Sequence, residues 1–171
     1  MSRPRRFKAL AALAVVTALV LALAGCGNSA NGGSSEPKSA DLSAFLETVT
    51  SNQEAAMETL PADALETFYP GISDIETKQC VGATALISAV ASEILLVEVA
   101  NADDVAKVEE IMNARVSYQV GDGTAPGGAW YPETMDQWEN NSRVVSVGSS
   151  VMLVVMDNAD EIVTEFQNLF A

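Results

Sequence analysis

The feature that most narrows the folds open to this chain of 171 residues is an internal repeat. Ser92–Val105 (SEILLVEVANADDV) aligns without gaps on Ser149–Ile162 (SSVMLVVMDNADEI), at an offset of 57. Each copy reads as a strand apolar enough to be buried on both faces, then an Asn, then a helix. Asn101 with Asp104, and Asn158 with Glu161, sit at N-cap and N3 spacing, where acidic side chains also favour the positive end of the helix dipole. Behind the caps, Val105, Val108 and Met112 form one apolar stripe, and Ile162, Phe166, Leu169 and Phe170 the other. Ala85–Val90 supplies a strand upstream of the first copy and Arg143–Val147 one upstream of the second, with tight turns at Ala91-Ser92 and Gly148-Ser149. The predicted fold class is α+β: a ββα–ββα repeat forming a four-stranded, mainly antiparallel sheet with two helices on one face. A βαβ sandwich is the alternative.

N-terminal helices complete the expected domain. Asp41 caps a helix whose apolar positions Leu42, Phe45, Leu46 and Val49 fall at i, i+3, i+4 and i+7. A second amphipathic piece holds Met57 and Leu60, and a short helix with Ala64, Leu65 and Phe68 stops at Tyr69-Pro70-Gly71.

Ahead of this domain, Arg3, Arg5, Arg6 and Lys8 precede an apolar run, residues 9–24, in which Thr17 is the only polar member. A membrane-spanning helix wants about 20 apolar residues, so these 16 suit the core of a signal peptide better. Leu23-Ala24-Gly25-Cys26 resembles the lipobox of bacterial lipoproteins. The resemblance implies that residues 1–25 are removed and that Cys26 carries a diacylglycerol, whose buried chains contribute roughly 0.8 kcal/mol per CH₂ to anchoring. Residues 26–40 then comprise the lipidated Cys and a Gly/Ser-rich tether, with a reach of roughly 20 Å. Residues 41–171 form a single α+β domain, long enough for one core. Four of the nine cations lie in the leader and all 23 acidic residues follow Cys26, so the chain from Cys26 onward has a formal net charge of −18. Such a balance excludes nucleic acid as a partner. The absence of His removes every His-based dyad, triad and zinc site, and no cofactor or metal is expected.

Between the two copies lies an insert, residues 117–142, that departs from the repeat. Tyr118-Gln119-Val120 leads into a Gly-rich loop, residues 121–128, after which Pro132 opens a short helix. Both tryptophans, Trp130 and Trp138, sit here, and Gly-rich loops beside aromatics often carry binding surfaces. Trp130, Tyr131 and Trp138 form the expected ligand or partner surface. Arg115 and Arg143 are scarce cations that read as ion-paired, and Arg143, beside the aromatics, can instead hold an anionic group. The loop is no phosphate cradle: a GxGxxG pattern starting at Gly121 needs Gly where Pro126 stands. Cys80 reads as a small buried hydrophobe, with no His to activate it. Asp103, Asp104, Glu109 and Glu110, and the counterpart set Asp157, Asp160, Glu161 and Glu165, match no cation-binding loop and read as capping groups on a solvated face.

Tyr69-Pro70-Gly71-Ile72, Thr77-Lys78-Gln79-Cys80, Ser88 to Glu93, Tyr118-Gln119 through Gly128-Ala129-Trp130-Tyr131-Pro132-Glu133, and Asn141 to Val145 together resemble a bacterial lipoprotein family of the Firmicutes, domain of unknown function 4358. The resemblance covers roughly residues 65–171. It implies an envelope location and a shared fold, and no activity. The expected function is therefore that of a lipid-anchored lipoprotein on the extracytoplasmic face of a Gram-positive cell membrane. It acts as a non-enzymatic binding or assembly module for an envelope protein, glycan or small ligand. The alternatives are a small envelope enzyme using carboxylates or Cys80, and a cation-dependent binding protein.

Overall fold

Strands β3 (Glu93–Val99) and β5 (Ser150–Val155) form the centre of the sheet, and every residue of both is buried. Their near-continuous apolar sequence is what a strand covered on both faces requires. The computed structural model describes residues 38–121 and 127–171. The leader, Cys26 and most of the tether fall outside the described residues, as does the segment from Asp122 to Pro126. Among the described residues no helix is long and apolar enough to cross a membrane.

The sheet is antiparallel throughout, and it has five strands rather than the four expected: β1 (Met57–Thr59), β2 (Thr77–Ala85), β3, β4 (Ser142–Val147) and β5, in the order β1-β2-β3-β5-β4. Met57 and Leu60 belong not to an amphipathic helix but to this first edge strand and its end. Met57 pairs with Ala85, and the Leu60 amide donates to the Gly82 carbonyl. Three residues are too few for a two-residue period to be told from a helical one. The strand expected at Ala85–Val90 is displaced as well: β2 ends at Ala85, and Leu86 and Ile87 stand exposed in a long turn that leads to β3. No tight turn forms at Ala91-Ser92. The second hairpin does turn tightly, with Val147 paired to Ser150 and Gly148 at φ +60°.

Alternation along β3 and β5 sends side chains to two separate cores. Leu95, Val97, Val151 and Leu153 pack with α2 (Ala62–Phe68), α3 (Val105–Val120) and α4 (Pro132–Asn140). Ile94, Leu96, Met152 and Val154 pack with α1 (Leu42–Ser51) and α5 (Ala159–Asn168). The repeat helices α3 and α5 thus lie on opposite faces, not on one. The sequence offset explains the error. At 57 residues Leu95 is matched to Met152, yet across the sheet Leu95 pairs with Leu153 and shares its face. A slip of one residue exchanges the faces of a strand, so the two copies match in sequence but not in orientation.

The caps also differ between copies. The Asn101 side chain accepts from the Asp103 amide at 3.1 Å and so caps a short 3-10 turn, Ala102–Asp104, rather than α3 itself, which starts without a side-chain cap. Asn158 makes no side-chain cap either, and only its carbonyl meets the amides of Glu161 and Ile162. At α1 the Asp41 carboxylate accepts from the Ala44 amide at 3.0 Å.

Candidate functional site

The buried positions of α3 are Val108, Met112 and Arg115. A guanidinium therefore continues the apolar stripe, and it must find a partner in the interior. That partner opens β3. Glu93 is 2 % exposed, and its carboxylate accepts from Arg115 Nε at 2.9 Å and Nη2 at 2.8 Å. The Tyr69 hydroxyl, at the end of α2, donates to the same carboxylate at 2.5 Å, and Thr84 of β2 donates at 3.4 Å. Four donors occupy the positions around one carboxylate.

Aromatic rings enclose the cation. The Arg115 guanidinium carbon lies 4.4 Å from the ring centre of Phe68 and 5.3 Å from that of Trp138. Burial works against the Arg115 charge, but the hydrogen bonds and charge of Glu93 outweigh it and hold its pKa above the ordinary value. Burial, reinforced by the Glu93 carboxylate beside it, pushes the Tyr69 phenol well above its usual range. Both groups keep their protons at any physiological pH. A carboxylate saturated with donors, beside groups that do not release protons, is poorly equipped for general acid–base work.

This network floors a cavity of about 330 Å³. Phe68, Thr84 and Trp138 line it, and Leu86, Ile87 and Trp130 form its rim. Trp130 is held there by backbone bonds from the insert to the last turn of α3: the Gly128 amide donates to Tyr118 at 2.8 Å and the Ala129 amide to Gln119 at 3.2 Å. The approach requires glycine, because a Cβ at Gly127 would collide with the Gln119 carbonyl oxygen. Trp130 is consequently 89 % exposed, the most exposed of the large hydrophobic side chains among the described residues.

The predicted surface residues are thus divided. Trp130 and Tyr131 are exposed, while Trp138 is 4 % exposed and belongs to the core. Arg143 lies away from the cavity: its neighbour Val144 faces the α3 core, and Arg143 points to the other side, donating to Asp160 of α5 at 2.8 Å. Its Nη1 also donates to the carbonyls of Asn140 and Ser142, so the guanidinium is committed. Cys80 sits half-buried in β2, and burial raises its thiol pKa, the reverse of nucleophile activation. Of the acidic helix residues, Asp104 pairs with Lys107 at 2.6 Å and Glu109 accepts from Ser146 at 2.7 Å. Among the described residues no three Cys, Asp or Glu side chains converge into a metal-binding group.

The Tyr69–Glu93 part of the site is absent from the sequence expectation. Its signal was present: Glu93 and Glu98 are the two charges in a run otherwise fit for complete burial, and each needs a donor. Comparison with protein-family models, curated proteins and solved structures gives no match.

Proposed function

We propose that this protein is a lipid-anchored envelope lipoprotein of the family to which its motifs are similar, and that it serves as a non-enzymatic binding module. Cys26 carries the anchor, residues 26–40 the tether, and the cavity rim beneath Trp130 the recognition surface. The pairing of one strand hairpin and one helix twice along the chain is, on this reading, a diverged duplication whose copies have slipped by one residue. The observation that carries the functional reading is the placement of Trp130. An indole left 89 % exposed, beside backbone that the close approach of Gly127 to α3 fixes, over a cavity with a polar floor, is costly to solubility unless something covers it. The saturated Glu93 and the protonated Cys80 support binding over catalysis.

A photocrosslinking amino acid at position 130, compared with the same group at position 143, tests the reading in intact envelopes. The expected result is a discrete adduct from position 130 and none from 143. Equal labelling from both positions, or none from either, would reject the site.

A further inference from the structure

The rim does not stand alone. A second depression adjoins the cavity through the shared residues Val90 and Ser92, and it is lined by Glu54, Glu133, Asp136 and Asp157, with no Lys or Arg among its walls. None of these four carboxylates enters an ion pair among the described residues. The surface therefore changes character over a short distance, from apolar (Leu86, Ile87, Trp130) to uncompensated negative charge.

We infer that this composite face receives a basic segment of a partner protein. An aliphatic or aromatic side chain of the segment enters the cavity beside Trp130, and flanking Lys or Arg side chains lie along the acidic groove. The inference deepens the binding-module reading and rests on it. Charge decides among occupants. An anionic polymer is repelled by the groove and by the domain's net charge of −18. A neutral glycan can stack on Trp130 but draws nothing from the four carboxylates, and it leaves the Leu86 and Ile87 side chains, 56 % and 59 % exposed, without apolar cover. A free cation makes no use of the rim. Only a segment that is both basic and apolar satisfies both halves, with the indole as anchor and the charges setting the association rate and orientation.

The test uses the lipidated protein in phosphatidylcholine nanodiscs, with empty nanodiscs as the blank. The probes are three labelled peptides: Leu flanked by four Lys, Leu flanked by four Glu, and Gly flanked by four Lys. Binding is read by fluorescence anisotropy. The Lys/Leu peptide is expected to bind at least about tenfold tighter than either counterpart, and to weaken as salt shortens the Debye length from about 10 Å. Glu133→Gln with Asp136→Asn is expected to weaken it about tenfold. Glu47→Gln with Glu165→Gln, an equal charge change on α1 and α5, is expected to leave it within about twofold. Equal weakening by the two double variants, or equal binding of the Lys and Glu peptides, overturns the inference. If crosslinking from position 130 still yields a discrete adduct in that case, the binding module stands with another occupant. If crosslinking fails too, both readings fall.

Discussion

The two faces of the sheet solve the same problem differently. On the α1/α5 face the interior is apolar, with Phe45 and Phe166 rings 6.0 Å apart and Phe170 edge-on to Phe166 at 5.3 Å. Its one buried charge among the described residues, Glu98, lies at the margin. There Gln79, Lys78 and Ser39 donate to it, and Gln79 also ties down Ala40 and Leu42 where the chain enters α1. On the α2/α3/α4 face, Glu93 at the opposite end of the same strand accepts a largely buried arginine, and the cavity opens above it. Lys78 in the first case is 55 % exposed, whereas Arg115 in the second is 8 % exposed. Each face carries a depression, one between α1 and the β1/β2 edge and the other over the Glu93–Arg115 pair. What sets the second apart is that its depression is floored by a buried, fully paired polar network, with the exposed Trp130 at its rim.

Substitutions can break or sharpen this contrast. The largest effect is expected from Arg115→Met, which leaves Glu93 buried without its cation and costs roughly 3–5 kcal/mol. Adding Glu93→Leu should recover much of that loss, and urea denaturation of the single and double variants checks it. Phe166→Ala on the apolar face should cost a comparable amount, roughly 3–5 kcal/mol by cavity formation, but no second charge-removing change should restore it. If Arg115→Met proves no worse than a surface change, the two faces do not differ in the way described.

A smaller effect, about 1–2 kcal/mol, is expected from Glu98→Gln at neutral pH. Burial pushes the Glu98 pKa up, but the hydrogen bonds from Gln79, Lys78 and Ser39 and the Lys78 charge more than offset it, leaving the pKa below its ordinary value. The folded state therefore holds the carboxylate more tightly than the unfolded chain, whose Glu titrates near about 4.3. The contribution is complete above that pH and is lost as pH falls through the lower folded value. Melting curves of wild type and Glu98→Gln should run parallel at neutral pH and converge in acid. The smallest change in stability belongs to Arg143→Gln, within about 1 kcal/mol, because its ion pair with Asp160 is at the surface.

Legibility in the sequence followed the strength of the pattern. The buried strands were evident because Ile94 to Val97 and Val151 to Val155 are continuous apolar runs, and the α1 stripe because Leu42, Phe45, Leu46 and Val49 repeat at helical spacing. The opposite placement of α3 and α5 was not legible. A strand apolar on both faces carries no mark of which side is which, and one residue of slip decides it. Edge strand β1 was missed because it is short, and β2 was shifted because Leu86 and Ile87 look like strand interior while standing exposed. At the candidate site, the exposure of Trp130 could be read from its place beside the glycines. The separation of Trp130 from Trp138 could not, since burial of Trp138 depends on Arg115 and Phe68 arriving from other elements.

That separation is the most direct place to test the account. The measurement is thermal melting of Trp130→Ala and Trp138→Ala, followed by crosslinked capture of each folded, lipidated protein in intact envelopes. The account predicts that Trp138→Ala melts far lower, a loss of roughly 3–5 kcal/mol. It predicts that Trp130→Ala keeps its stability within about 0.5 kcal/mol and loses the captured partner. A Trp130→Ala protein that is fully folded and still captures the same partner would contradict it.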